Sequence, residues 1–470
     1  MKKTSFQPIA FALLFTLLVP MGHAKTRVAC VGDSITFGAR IQDREKQSYP
    51  AQLGKLLGDK YDVRNFGVNG HTLLKKGNAP YWNHAAYKKS QAFEPNIVII
   101  KLGTNDSKPM NWPDHKGDFE SNARELIASY QALASKPRII VCLPVPVVKD
   151  GNITEKIVRK EVAPRLRKAA LATGVELVDL HPSLVEHPEF FPDGLHPDHR
   201  GAGRMAEVLH EVLTFEHDAD FAFEPPGKTS KGVYHGFTEY NFQHDGLRCR
   251  VAAPKRTAKG APWIWRAYYW GHQPQFEIAM LERGWHVAWY DVSNLFGSPK
   301  AVARWNTFYD FMQQQGFDAK PVLEGMSRGG PIIHNWAVAN PKKAGGIIAD
   351  NAVLDLRSWP GDFKKPDQAH APLWEKVIEV YGFADDAAAR AYDKYPIDTV
   401  DQLKAAGIPL LYLVCGDDPV VPGKDNGYKA IKKLGDYAQL IDKPGLGHHP
   451  HSLRDPKPIV EFVQKTRAKQ

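Results

Sequence analysis

Ser34 and Ser327 each sit in a glycine-bearing turn that follows a short apolar run. The first turn is Gly32-Asp33-Ser34-Ile35-Thr36 and the second is Gly325-Met326-Ser327-Arg328-Gly329-Gly330. A hydroxyl is a poor nucleophile until an imidazole removes its proton. The oxyanion that forms then needs hydrogen-bond donors aimed at it. Candidates for both tasks lie downstream of Ser34. Asp193-Gly194-Leu195-His196 places an acid and a base three residues apart, a spacing that lets both reach one serine from one short loop. Gly70 allows close approach of the backbone, and Asn105, in Gly103-Thr104-Asn105-Asp106, ends a strand and offers an amide donor. Asp33 and Asp106 are expected to brace loops. After Ser327 come Gly416-Asp417-Asp418-Pro419-Val420-Val421-Pro422 and the histidine-rich Gly445-Leu446-Gly447-His448-His449-Pro450-His451. These residue types point to acyl transfer through serine, at two places in one chain.

The elements that must position these groups can be read from periodicity. Val28–Val31, Tyr61–Val68, Ile97–Leu102, Arg138–Val145 and Val175–Leu180 read as strands. Ser48–Leu57, Asp118–Ser135, Glu155–Ala172 and Asp198–Leu213 read as helices. Strand–helix alternation at this spacing predicts an α/β fold, with a flavodoxin-like parallel sheet covered on both faces and a site at the carboxyl ends of its strands. A polar Pro/Gly stretch, Glu224–Ser230, marks a boundary. Beyond it, Glu239–Phe242 and Arg248–Ala253 flank an Asp245-Gly246 hairpin signal. Alternation then resumes. Trp263–Trp270, His286–Tyr290, Val322–Gly325, Gly346–Ile348 and Leu410–Cys415 read as strands. Gln275–Arg283, Lys300–Gln315, Arg328–Ala339 and Lys457–Lys465 read as helices. Residues 356–400 look like a helical insertion that could cap the second site.

A chain of 470 residues exceeds what one core usually covers, so two domains are expected. The expected limits are a signal peptide over 1–24, a first domain over 25–218, a linker over 219–231 and a second domain over 232–470. Lys2 and Lys3, then the apolar Phe11–Pro20 and the small residues ending at Ala24, carry the signal-peptide reading. They predict a periplasmic or secreted protein. No other apolar run is long enough to span a membrane, so stable membrane insertion is not expected. The net charge of +9 is mild for this length. No basic run is interleaved with aromatics, so no nucleic-acid partner is expected. Nothing in the sequence sets an oligomeric state. The four cysteines, Cys30, Cys142, Cys249 and Cys415, lie in strand-like runs and read as buried free thiols, although Cys30 and Cys142 could pair in an exported protein. His448, His449 and His451 lack a Cys partner or a helical His-x-x-x-His spacing, so no metal and no other cofactor is expected.

In its four blocks over residues 27–215, the first region resembles the SGNH (GDSL-type) hydrolases. The resemblance implies Ser34 as nucleophile, His196 as base and Asp193 as the acid that orients it. It also implies an oxyanion hole made by the amides of Ser34 and Gly70 and the side chain of Asn105, with Gly67 the competing glycine. Gly-x-Ser-x-Gly between an apolar run and a helical pattern resembles the nucleophile elbow of the α/β-hydrolase fold. That likeness spans about residues 232–470. It implies Ser327 as nucleophile, Asp418 as acid (Asp417 the alternative) and His448 as base (His449 the alternative). The amide of Arg328 would be one oxyanion donor, and the loop after Trp263–Trp270 would supply the other. SGNH-like enzymes include acetylesterases acting on plant polysaccharides. The combined expectation is an exported serine esterase with two catalytic domains and an acylated carbohydrate as substrate. Tyr269, Trp270 and Trp359, near predicted loops, could stack on sugar rings. The competing expectations are lipase, thioesterase or peptidase chemistry, or a catalytic first domain joined to a sugar-binding second one.

Overall fold

A computed structural model of the protein describes residues 24–362 and 371–468. The signal-peptide reading therefore falls almost wholly outside the described residues, as does part of the helical insertion. No described helix is long and apolar enough to cross a membrane.

The N-terminal half builds a five-stranded parallel sheet from β1 (Thr26–Gly32), β2 (Tyr61–Gly67), β3 (Ile97–Lys101), β4 (Arg138–Leu143) and β5 (Glu176–Asp179). Their order is β2-β1-β3-β4-β5, the flavodoxin-like arrangement. Alternation along each strand sends residues to opposite faces. Val28, Cys30, Ile97, Ile99 and Ile140 pack on one face with Leu53, Met205 and Leu209 from the helices Tyr49–Leu57 and His199–Thr214. Ala29, Val31, Val98, Ile100 and Val141 pack on the other with Leu126 and Leu166 from Phe119–Gln131 and Ala163–Thr173. In register, Gly32 lies beside Gly67 of β2 and Lys101 of β3. The loops that carry Ser34, Gly70 and Asn105 therefore leave the carboxyl end of the sheet together.

The single helix expected over Glu155–Ala172 is interrupted by a π-helical turn at Val158–Val162. Pro164, just beyond it, has no N–H to give the carbonyl four residues back, which disturbs the regular ladder. A helix over Ala85–Ala92 has too few apolar residues to show a period.

The C-terminal half builds a nine-stranded sheet from β6 (Ser230–Tyr234), β7 (Phe237–His244), β8 (Leu247–Ala253), β9 (Trp263–Ala267), β10 (His286–Tyr290), β11 (Val322–Met326), β12 (Gly346–Asp350), β13 (Leu410–Cys415) and β14 (Gln439–Lys443). The order is β14-β13-β12-β11-β9-β10-β8-β7-β6. The β6–β7, β7–β8 and β8–β10 pairings are antiparallel and the rest, β10–β9 included, are parallel. This is the α/β-hydrolase layout with an antiparallel start. Asp245 and Gly246, at φ 49° and 71°, make the two-residue hairpin turn that their types predict. The edge strands β6 and β14 were not legible. Their polar, exposed residues carry no clean alternation. The strand expected over Trp263–Trp270 stops at Ala267 because Tyr268 and Tyr269 turn into the left-handed region. Trp263, Trp265, Trp305 and Trp336 are fully buried, and Trp265 stacks on Trp305 with ring centroids 4.0 Å apart. Trp265→Ala would cost about 3–5 kcal/mol.

The segment read as a linker is docked. Phe221 and Phe223 pack on the core of the larger sheet, Phe223 against Phe317. The two halves also meet directly. Arg204 pairs with Asp455, Lys457 with Glu207 and Arg283 with Glu211. The N–H of Asp179 donates to Glu282 at 2.6 Å. Burial pushes the Glu282 carboxyl up to about 8. All four cysteines are buried free thiols, and burial raises Cys30 to about 12.

Candidate active sites

Ser34 opens a one-turn helix, Ser34–Phe37, whose N-cap Asp33 accepts from the N–H of Ile35. Asp33 is itself fully buried and paired with Lys101 at 3.2 Å, and Lys101 also donates to Thr104. A buried carboxylate is tolerable only with such a partner. The pair ties the Ser34 turn to the loop that leads into Asn105. Asp106 accepts the N–H groups of Leu73 and Leu74 and so holds the loop after Gly70. Both acids brace loops, as their positions in the sequence imply.

His196 Nε2 lies 2.9 Å from Ser34 Oγ, and His196 Nδ1 lies 2.8 Å from Asp193. Asp193 also accepts the N–H groups of Leu195 and His196. Partial burial works to raise its pKa, but those bonds outweigh it and hold the carboxyl below its ordinary value. An anionic acid beside Nδ1 leaves the lone pair of Nε2 facing the hydroxyl. The Asn105 amide donates once, to the carbonyl of His71 at 3.2 Å, which leaves its second hydrogen available. The two glycines now separate. The Gly67 N–H is committed to Asn65 Oδ1 at 2.9 Å. The N–H groups of Ser34 and Gly70 have no acceptor among the described residues. Gly67 serves a different need: a Cβ there would lie 2.2 Å from the Phe37 nitrogen.

Ser327 follows β11 with φ +47°, a strained value for a residue with a Cβ. Glycines make the turn possible. A Cβ on Gly325 would meet the Gly329 carbonyl at 2.7 Å, and one on Gly330 the Val353 carbonyl at 2.4 Å. His448 Nε2 lies 3.0 Å from Ser327 Oγ, and His448 Nδ1 lies 2.7 Å from Asp418. Asp418 also accepts the N–H groups of Val420 and Val421. Asp417 and His449 do not make these contacts. The loop after β9 is pinned from below by Arg266, which is fully buried. Its guanidinium donates to the carbonyls of Tyr269 and His272 at 3.1 and 2.8 Å. Glu277 and, at 3.1 Å, Glu324 flank it, and burial raises both carboxyls above their ordinary value. The N–H groups of Tyr269 and Arg328 have no acceptor among the described residues, and the Arg328 side chain donates to the Tyr269 hydroxyl at 2.8 Å. Sequence reasoning missed Arg266 and left the second donor open. The signal was there: one arginine inside the aromatic run Trp263–Ala267 has to have a buried partner.

A cavity of about 450 Å³ opens over Ser327. Tyr269, Trp270 and Trp359, the three aromatics singled out in the sequence, line it together with His449. Leu373, from the helix Ala371–Tyr381 of the insertion, also reaches it.

Each site thus holds a hydroxyl, an imidazole and a carboxylate in series, with amide donors beside the hydroxyl. Comparison with known proteins finds relatives of the first domain. Residues 30–204 match the GDSL-like Lipase/Acylhydrolase family. That stretch is an SGNH hydrolase domain. The chain is 40% identical to an acetylxylan esterase of Xylanibacter ruminicola, over 40% of this chain and 43% of the relative, so it spans less than half of that protein's length. Among solved structures, a carbohydrate acetylesterase from Sinorhizobium meliloti is 20% identical over 40% of this chain and 98% of its own, with a TM-score of 0.33. An acylaminoacyl peptidase from Pyrococcus horikoshii is 15% identical over 51% of this chain and 41% of its own, with a TM-score of 0.36.

Proposed function

We propose that the protein is an exported serine esterase with two active sites, one per domain (about 25–218 and 232–470), that removes acyl groups from carbohydrate. One observation carries the reading: two separate Ser–His–Asp relays within hydrogen-bond reach in a single chain. In the first, Ser34 attacks the ester carbonyl as His196 takes its proton, and Asp193 supports the imidazolium. The oxyanion is received by the amides of Ser34 and Gly70 and by Asn105. In the second, Ser327, His448 and Asp418 play the same parts, with the amides of Arg328 and Tyr269 as donors. Each acyl-enzyme is then hydrolysed by water activated by the same histidine. The likeness to an acetylxylan esterase makes O-acetyl groups on xylan the first substrate to try. The aromatic cavity over Ser327 suits a sugar ring, because flat apolar sugar faces stack on aromatic side chains. Export rests on the basic, apolar and small-residue pattern of residues 1–24.

The test is to assay Ser34→Ala, Ser327→Ala and the double variant on acetylated xylan and on aryl acetates. Each single variant should lose one activity, and the double variant should lose both. Full activity in the double variant would end the reading. Labelling by a fluorophosphonate of Ser34 alone would reduce the second domain to a non-catalytic module.

A further inference from the structure

The histidine-rich loop holds more imidazole than a triad uses. Nitrogen atoms of His448, His449 and His451 lie within 4.8 Å of one another. Their ring centroids are 4.9 to 5.1 Å apart. His272, from the loop after β9, stands next to them, 5.7 Å from His449 and 6.0 Å from His451 between centroids. All four line the cavity above Ser327. His451 is 3% exposed, and its Nδ1 faces the buried Asp350 carboxylate at 3.7 Å. A carboxylate behind a ring nitrogen turns the other nitrogen toward a ligand, and three clustered imidazoles are one of the donor sets zinc takes. His448 is also backed in the way metal-binding histidines are. Its Nδ1 is hydrogen-bonded to a carboxylate, Asp418, which fixes the tautomer and leaves Nε2 as the donor atom.

We propose that His448, His449 and His451 form a site for a divalent transition ion, zinc above all, and that occupancy switches off the second active site. The ion binds His448 Nε2, His449 and His451, and a water takes the fourth position with His272 beside it. His448 Nε2 is the atom that must accept the Ser327 proton. A lone pair given to a metal cannot take that proton, so binding and catalysis exclude each other. Small ring rotations close the 4.8 Å spread to the distances that bonds of about 2.0–2.1 Å require. The first site stays active, because among the described residues His196 has no comparable cluster around it. Only the loss of rate depends on the esterase reading of the second site. Binding itself does not.

The experiment uses the full chain after treatment with a chelator. Calorimetric titration with zinc should show one ion bound per chain, and cobalt(II) should give the visible bands of a nitrogen-rich tetrahedral site. His449→Gln, an exposed position, should weaken the ion by at least about tenfold. In the Ser34→Ala chain, saturating zinc should cut hydrolysis of an aryl acetate at least tenfold, and EDTA should restore it. In the Ser327→Ala chain zinc should leave the rate unchanged. Equal inhibition of both chains, or zinc affinity indifferent to His449→Gln, overturns the proposal. If the Ser34→Ala chain has no activity at all, the second-site esterase reading fails while the titration and the cobalt spectrum still decide the metal site.

Discussion

The two relays make nearly the same contacts on different supports. Asp193 and His196 come from one surface loop, three residues apart, and the Asp193 side chain is 33% exposed. Asp418 and His448 come from two loops, after the neighbouring strands β13 and β14, and the Asp418 side chain is 1% exposed. Ser34 starts a capped helical turn, whereas Ser327 is held at positive φ by glycines around it. A local acid–base loop is easily assembled, but water can substitute for part of what the acid does. A dispersed, buried relay depends on the whole sheet, and nothing can replace a lost member. The difference is between an orientation supplied by sequence proximity and one supplied by the fold.

The sharpest way to break that comparison is to neutralise each acid. Asp418→Asn should reduce the Ser327-dependent rate roughly 10⁴-fold, since the buried amide stabilises the wrong imidazole tautomer. Asp193→Asn should reduce the Ser34-dependent rate only about 10²-fold, the low end for positioned acid–base groups. Single-site kcat values measured in chains lacking the other serine would decide; equal losses would refute the contrast. Next in size, Asn105→Ala should lower kcat at the first site by about 10²- to 10³-fold with little change in KM, while the second site serves as an internal control.

Acid should then separate the halves. Burial holds the imidazoles of His286 and His334 at about 3 and about 4, below the ordinary 6.5. Both belong to the larger sheet and its helix Gly330–Ala339. When unfolded they bind a proton below about 6.5; when folded they resist it down to about 4. The stability they add is present above pH 6.5 and is lost as pH falls. The expected loss is about 2 kcal/mol for each between pH 6.5 and 5. Nine of the eleven tryptophans lie beyond residue 260, so urea midpoints followed by tryptophan fluorescence at pH 7 and pH 5 report on this half. Identical midpoints would contradict the expectation.

The last contrast lies between the two glycines of the first site. Gly67→Ala should destabilise the first domain by about 2–3 kcal/mol, since its Cβ would meet the backbone of Phe37. Gly70→Ala faces open space but sits at φ +77°, so about 1 kcal/mol is expected. Thermal unfolding of the two variants would show whether the order holds.

Much of this was legible in the sequence for physical reasons. Ser34, Asp193 and His196 sit at strand and loop ends that apolar runs and glycines define locally. The elbow around Ser327 likewise follows from where a Cβ cannot fit. Periodicity located the central strands because they are buried on both faces. It failed at β6 and β14, which are exposed edges, and at the π-turn over Val158–Val162, where a proline acts through a backbone bond it cannot make. The choices left open turn on contacts that periodicity does not show, one of them local and the others long-range. Gly70 has the free amide because Asn65 occupies that of Gly67. Asp418 and His448 are the partners because β13 and β14 lie side by side. Arg266 shapes the loop after β9 because Glu277 and Glu324 are brought beneath it. Types and order of the reacting groups are set residue by residue along the chain. That Asp418 is buried beside His448 and that His272 stands with the loop histidines depend on long-range contacts, and only the folded sheets supply those.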